Sequence, residues 1–387
     1  MERIYLDGNA GLPARAEAIE AWLRAEREAP GNPASAHRAG RRAQGVIEDA
    51  RERVAACLRC AAREVVFTSG ATEANNLALF GAARALRRVH GAPPLLVASA
   101  AEHPAVLAAL RLLQSEGWPL RLAPVNSSAL ADAGSMLDLA SSAPAALVAL
   151  QWANNETGAV QELGRLISGA SSSVHVHVDA VQGFGKLPWE EALTGASTFA
   201  VSGHKIGSPK GIGALRVSDA ALVDPVVVGG GQQRGRRAGT ESPALAAAFA
   251  CALELALSEQ EIWERAMLQN SRDFLDFLRS SKLSFAANHP ESGPRLPNTL
   301  SISLEGVDGR ALLPACDAEG LDLASGAACA SGAPLPSAVL LACGLSDSLA
   351  RATVRISFAP GTTREQTLEA AQRFVRVARR LYEVANR

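Results

Sequence analysis

Short apolar runs that break into polar turns recur along this chain, and they restrict its fold more than any other feature. VVFT at 65–68 runs into SGATE, and residues 95–99 run into AAEHP. Residues 145–150 run into QWANNETG, and VHVHV at 174–178 runs into DAVQ. Residues 199–201 break at Ser202, Gly203 and His204, and Lys205 follows. Short apolar runs bounded by turn signals read as buried strands. Helical spacing follows several of them, notably at 74–88 and from the Thr240, Glu241, Ser242, Pro243 start to about 257. Further helices are expected at 15–27 and 38–58. In an open α/β sheet the ligand sits beyond the carboxyl ends of the strands. The polar residues of this chain collect there.

The lysine stretch TFAVSGHKIGSPKGIGALRV, residues 198–217, is the most informative of these breaks. An amine held at a strand end among small residues is placed for chemistry, and it can form a Schiff base with an aldehyde such as pyridoxal phosphate. Ser202 and His204 can donate to a phosphate beside it. The alternative is a surface loop with a solvated lysine. The turn at 69–73 offers Ala71 and Thr72 backbone N–H groups and a helix dipole to an anion. It also reads as a plain helix start with Thr72 as N-cap. His103, just past a strand end, can stack on an aromatic ring and move protons. Asp179 can hold a pyridinium proton, and Asn155 and Gln182 can bond a ring oxygen. His175 and His177 alternate with valines on the Asp179 face. No third ligand follows them at suitable spacing, so no metal site is expected.

Beyond residue 259 the pattern changes to a long helix at 261–278, strands around 298–303 and 351–358, and a final helix at 364–386. This reads as a smaller α+β domain. Within it, Cys329 stands among Ala, Ser and Gly only, in LASGAACASG. Such a segment packs poorly, which predicts mobility and a reachable thiol. Cys251 and Cys343 lie in apolar helical runs and read as small core hydrophobes. Cys57 and Cys60 have redox-motif spacing at a helix tail without a second pair, and no special role is expected. Arg355 is a lone cation in an apolar strand. It needs an acid, and a substrate carboxylate would serve bidentately. Arg234, Arg236 and Arg237 read either as a phosphate grip or as solvated charge.

Composition removes other classes of function. The formal net charge is −1, which gives no electrostatic case for nucleic acid or a membrane surface. No apolar run approaches the ~20 residues of a membrane span. The first residues, MERIYLDGNAG, contain no apolar targeting core. Six cysteines scattered through 387 residues without an export signal point to the cytoplasm and free thiols.

In order and spacing these stretches resemble the cysteine desulfurases, pyridoxal-phosphate enzymes of the class V aminotransferase group. The match is carried by YLD, GNPASAHRAGRRA, VVFTSGATEANN, EHPAVL, NNETG, HVDAVQ, SGHKIGSPKG, GGGQQRGRRAGT, LASGAACASG and VRISF. The resemblance implies an α/β fold of the aspartate-aminotransferase type, with a mostly parallel seven-stranded-type sheet covered by helices. It implies a large cofactor-binding domain at 15–257. A small domain, 1–14 plus 258–387, would carry the cysteine loop. Lys205 would bear the cofactor as a Schiff base, Asp179 would pair with the pyridine nitrogen, and His103 would stack on the ring. Asn155 and Gln182 would flank the ring hydroxyl. Ala71, Thr72, Ser202 and His204 would hold the phosphate, and Thr240 would reach it from the second subunit of a homodimer. Arg355, with Asn155 beside it, would take the carboxylate of L-cysteine, and Cys329 would accept sulfur as a persulfide. L-alanine would leave, and a scaffold-type acceptor protein would collect the sulfur for iron–sulfur cluster or other sulfur-containing biosynthesis.

Two departures from the family pattern stand out. Gly11 and Leu12 precede Pro13 where paired threonines are usual, and Gly207 with Ser208 follows His-Lys-Ile where a bulky residue is usual. Both are expected to trim side chains near the site. The short stretch after the last helix predicts a short docking tail. Selenocysteine lysis or transamination on the same fold is the nearest alternative, and a weakly active relative serving as an assembly subunit is the other.

Overall fold

The apolar runs form strands, and a short connection decides how they are joined. The computed structural model describes residues 2–290, 293–325 and 336–385. In chain order the strands are β1 (Ile4–Tyr5), β2 (Val65–Thr68), β3 (Leu95–Ser99), β4 (Leu120–Ala123), β5 (Ala146–Gln151), β6 (Val174–Asp179), β7 (Thr198–Ser202) and β8 (Gly213–Val217). They continue with β9 (Ala286–Ala287), β10 (Thr299–Ser303), β11 (Leu321–Asp322), β12 (Ala324–Ser325) and β13 (Thr353–Ser357). The helices of twelve residues or more are α1 (Ala16–Glu28), α2 (Arg38–Cys57), α3 (Ala71–His90), α4 (Pro104–Ser115), α5 (Pro243–Ser258), α6 (Gln260–Ser280) and α7 (Arg364–Ala385).

The main sheet has seven strands in the order β2-β8-β7-β6-β5-β3-β4. β7, β6, β5, β3 and β4 run parallel, and β8 runs antiparallel to both β7 and β2. Parallel neighbours need a long crossover, whereas residues 203–212 join β7 to β8 directly, so β8 must turn back. The strands are buried along nearly their whole length, as expected for a sheet covered on both faces. After β3 the chain goes outward to β4 and then returns across β3 to β5. The crevice at such a reversal is where open α/β sheets bind ligands. Because β2, β3, β5, β6 and β7 all point the same way, Thr68, Ser99, Gln151, Asp179 and Ser202 end on one edge.

A second sheet, β12-β13-β10-β9, is antiparallel throughout. It carries its own buried cluster, in which Phe274 of α6 packs against Phe358 and Phe374 with ring centroids about 6 Å apart. Ile4 and Leu6 from the chain start belong to this cluster. β1 pairs in parallel with β11, and Asp7 bridges to Ser357. The amino-terminal strand is thus short, and of the YLD stretch only Tyr5 lies in it.

Under the carboxyl edge of the main sheet lies an aromatic stack. Phe184 stacks on Trp189 at 5.5 Å and on Phe199 at 6.1 Å, with Trp152 edge-on at 6.3 Å. Gly183 is what lets this stack reach the sheet edge, because a Cβ there would lie 2.0 Å from the Trp152 ring. Trp152 is fully packed and has nowhere to go. Overpacking of this kind costs about 1–3 kcal/mol. Gly183→Ala is therefore expected to lower unfolding stability by about that amount, read as a drop in the urea midpoint at constant slope. An unchanged midpoint would show that the Trp152 contact is not rigid.

Candidate active site

Asp179 ends β6, Ser202 ends β7, and Lys205 closes the single turn Gly203–Lys205 that follows. The cleft they border has a volume of about 550 Å³. Of the expected site residues, Ala71, Thr72, His103, Asn155, Asp179, Gln182, His204, Lys205 and Arg355 line it. Ser202 sits just behind, buried, with its hydroxyl 3.0 Å from His204 Nδ1. Thr240 is exposed and borders a separate cavity with Phe67 and Ile212, outside this cleft. Cys329 lies outside the described residues.

The Lys205 amine donates to the carbonyls of Asn9 (2.5 Å) and Ala10 (2.9 Å). Burial, and then the Arg355 cation, push it down to about 8. Asp179 is buried; its Oδ2 accepts from Asn75 Nδ2 at 2.7 Å and its Oδ1 from the Val181 N–H at 3.1 Å. His103 caps α4 through Nδ1, which accepts from the Ala105 N–H at 3.1 Å. The ring therefore keeps its proton on Nε2, and the concave wall around it lowers its basicity. Burial, with Lys205 behind it, takes His204 to about 4, so its ring is neutral at pH 7.

The anion cradle differs from its sequence reading in one respect. The N-cap of α3 is Gly70, not Thr72. Gly70 has φ +150°, a conformation that favours glycine. Ala71 and Thr72 are thus in the first helical turn, whose N–H groups have no intrahelical partner. The Thr72 hydroxyl is not needed for the cap.

The three arginines of GGGQQRGRRAGT all take protein partners, and none of the three lines the cleft. Arg237 pairs with Glu73 at 2.6 Å, Arg234 donates to the Ala62 carbonyl, and Arg236 donates to the Arg63 carbonyl. Neither reading of them as a phosphate grip nor as free surface charge describes this arrangement. The acid that buried Arg355 needs is Asp7, at 2.5 Å from Nη2, while Nη1 donates to the Asn155 carbonyl. Arg355 Nε is buried and has no partner.

The second departure from the family pattern does not trim the cleft. Gly207 has φ +83°, and a Cβ there would lie 2.7 Å from Arg15 Cγ. Arg15 fills that space, pairs with Glu259 and lies over Trp263. Ser208 is buried, and Gly11 stands against the His204 ring.

The sequence reading missed Asn9 and Lys186. Asn9 looked like ordinary turn chemistry in GNAG, and Lys186 was a single lysine in FGKLPW. Lys186 is buried and donates to Asn9 Oδ1 (2.9 Å) and Gln182 Oε1 (2.7 Å). Burial drives it far below the usual lysine value. With its oxygen held by Lys186, and one N–H on the Asn9 carbonyl at 3.0 Å, Gln182 has one N–H left to offer.

Pyridoxal phosphate fits this donor set. A phosphate needs the open first turn of α3, a pyridine nitrogen needs a buried carboxylate, and an aldehyde needs a lysine of depressed basicity. A substrate carboxylate finds an unpaired guanidinium N–H. Five described cysteines, Cys57, Cys60, Cys251, Cys316 and Cys343, are free. Burial raises all five thiols, Cys57, Cys60 and Cys343 to about 11 and Cys316 to about 12. None of these is a ready thiolate at neutral pH.

The sequence model of the aminotransferase class-V family matches residues 4–369. The chain is 35% identical over 385 residues to a putative cysteine desulfurase IscS of Bacillus subtilis, covering 98% of this chain and 100% of that one. A solved NifS-like protein superposes with a TM-score of 0.88 at 28% identity, covering 98% of this chain and 100% of that one. DndA from Streptomyces lividans gives 0.78 at 33% identity, with 92% and 100% covered.

A lysine of pKa about 8 gives up its proton, and becomes nucleophilic, as pH rises through 8 rather than 10.5. The rate of borohydride-fixable pyridoxal phosphate uptake by cofactor-free protein is expected to rise with pH to a plateau with a midpoint near 8. A midpoint near 10 would refute the burial argument, and Lys205→Ala is expected to abolish the fixable product.

Proposed function

The chain belongs to the class-V aminotransferase family, which works with pyridoxal phosphate, and we propose how its cleft operates as that of a cysteine desulfurase. The enzyme converts L-cysteine to L-alanine and moves the sulfur to one of its own cysteines. The observation that carries this reading is the meeting of Lys205, Asp179 and Arg355 at one cleft, closed at one end by the first turn of α3.

When bound, pyridoxal phosphate supplies an electron sink for the carbon that loses its proton. Lys205 is its covalent anchor and, once released, the base that takes the Cα proton. Asp179 faces the ring nitrogen, His103 covers the ring, and Asn155 and the remaining N–H of Gln182 flank the ring hydroxyl. Ala71, Thr72, Ser202 and His204 hold the phosphate. Thr240 does so from the partner of a homodimer, which accords with its place outside its own cleft. Arg355 orients the substrate carboxylate from the cleft wall. Cys329 takes the substrate sulfur: an S–S bond forms, the C–S bond breaks, and the carbon fragment gains a proton and leaves as alanine.

The flanks of the Cys329 stretch support that assignment. Ala324 of β12 is paired with Arg355, and the Ser337 hydroxyl donates to Glu156, next to Asn155. Both flanks are thereby fixed beside the cleft. The two separate buried clusters support reading 15–257 as the large domain and 1–14 with 258–387 as the small one. We read the protein as a cytoplasmic homodimer that hands sulfur to a scaffold-type acceptor for iron–sulfur cluster or other sulfur-containing biosynthesis. Among the described residues, no helix is long and apolar enough to cross a membrane.

Incubation with L-cysteine, measuring alanine and protein-bound sulfane sulfur together, tests the whole reading. Cys329→Ala is expected to keep its cofactor absorption band and lose the bound sulfur; full sulfur transfer by that variant would refute the assignment. Arg355→Ala removes a charge-assisted hydrogen bond of about 1.5–3 kcal/mol, so kcat/KM for L-cysteine should fall roughly tenfold to a hundredfold. An unchanged kcat/KM would place the carboxylate elsewhere.

A further inference from the structure

His175 and His177 stood out in the sequence, and no step above uses them. Both are buried, and three of their ring nitrogens are spent on other protein groups. His175 Nε2 lies 3.1 Å from Thr198 Oγ1, His177 Nδ1 lies 2.9 Å from the same oxygen, and His177 Nε2 lies 3.0 Å from Asn75 Oδ1. Asn75 Nδ2 then donates to Asp179 Oδ2 at 2.7 Å. Five side chains thus form one unbranched line that ends on Asp179. His177, Asn75 and Thr198 are fully buried.

We propose that His177 and Asn75 are positioning residues: with Thr198 and His175 behind them, they form a hydrogen-bond line of fixed direction that holds the Asp179 carboxyl group oriented toward the cofactor's ring nitrogen. The direction follows from donor and acceptor chemistry. Asp179 accepts on both oxygens, from the Val181 N–H and from Asn75, so Asn75 turns its NH₂ toward Asp179 and its oxygen toward His177. That oxygen can only accept, so His177 Nε2 carries the ring proton. Nδ1 of His177 is then a lone pair, and the Thr198 hydroxyl must donate to it. Thr198 in turn accepts from His175 Nε2. Every donor in the line points at Asp179.

Burial supports this count, since it drives His175 to about 4 and His177 to about 3 and leaves each ring a single proton. Reversing the line would set an amide oxygen against the Asp179 carboxylate at 2.7 Å, two acceptors in contact. Hydrogen bonds in a dry interior polarise one another, so the last link is stronger than an isolated amide would give. The ionisable groups that act on Asp179 are His103 and Lys205 from the cleft and the buried Glu102. None of them bonds to the Oδ2 side that Asn75 holds.

The direction of the line rests on hydrogen-bond geometry and donor–acceptor chemistry, whereas its action on the ring nitrogen rests on the function proposed above. Two measurements separate them. In the full-length protein with ¹⁵N-labelled histidine, before cofactor is added, His175 and His177 are expected as Nε2–H tautomers that stay neutral from about pH 6 to 9. A proton on His177 Nδ1 would overturn the proposal. With ¹⁵N-labelled pyridoxal phosphate bound, His177→Leu is expected to lower the pH at which the ring nitrogen loses its proton by roughly one unit, a tenfold change. His177→Gln, whose amide can still donate to Asn75, is expected to restore it. Asn75→Ala gives the same reading if His177→Leu does not fold. An unshifted ring nitrogen in a folded variant would overturn the proposal. Histidines ordered as expected in a protein that binds no pyridoxal phosphate would overturn the functional reading and the ring-nitrogen link with it.

Discussion

The cleft depends on one buried asparagine. The Asn9 carbonyl accepts from Lys205 and from Gln182, and its Oδ1 accepts from Lys186 and Asn298. Its Nδ2 donates to Thr299 Oγ1 and to the Asn155 carbonyl, and its N–H donates to Ser357 Oγ. Each bond adds only about 0.5–1.5 kcal/mol net, but a buried partner left unpaired costs more. Lys205, Gln182, Lys186 and Asn155 belong to the main sheet's edge. Asn298, Thr299 and Ser357 belong to the second sheet. Asn9 therefore fixes where the two sheets meet, and the cleft is the gap left between them.

The same arrangement controls charge. Two amines, those of Lys186 and Lys205, lie close to each other and to Arg355, and each cation disfavours the next. Burial, and then the Lys205 and Arg355 cations, lower Lys186 far below the usual lysine value, and its amine donates to two acceptors, Asn9 Oδ1 and Gln182 Oε1. Lys205 sits at the open end of the gap and is only partly suppressed. Arg355 cannot deprotonate, so it keeps Asp7 as its counter-ion. The two amines are thus suppressed according to depth, Lys186 most. The one at the mouth is left reactive at a pH close to neutral, and the remaining positive charge suits a ligand carrying a phosphate and a substrate carrying a carboxylate.

What could be read from the sequence was what local order dictates. Polar residues that follow an apolar run must emerge at the strand's carboxyl end, so Asp179, Lys205, His103 and Asn155 could be placed without knowing the fold. β8 was not separable from the lysine stretch, because its glycine-rich approach looks like loop. α4 was read only as the tail of EHPAVL, because its Ala and Leu residues show little polar periodicity. Asn9 and Lys186 were missed for a different reason. Their partners are far away in sequence, and a turn asparagine or a single lysine carries no local mark of burial. Gly207 was read as a lost side chain near the site, but the volume it frees is taken by Arg15, which belongs to a different segment. Distances of this kind are set by packing, and no motif records them.

The remaining thiol chemistry follows from the same contrast between packed and unpacked segments. Cys316 is held in the second core, where burial raises its thiol to about 12. Cys57 and Cys60 pack beside the first core, and burial raises each to about 11. A cysteine that packs against a core is by that fact a poor nucleophile, since the low-dielectric surroundings that hold it also hold its proton. A sulfur acceptor therefore has to come from a segment rich in residues too small to pack, and LASGAACASG is the cysteine-bearing stretch of that composition. Its leading flank is tied to the strand of Arg355 and its trailing flank to Glu156. On the proposed reading, the stretch that bears the acceptor thiol departs from β12, the strand paired with that of Arg355, so the chain of the acceptor and the substrate-orienting cation start from one pair of strands.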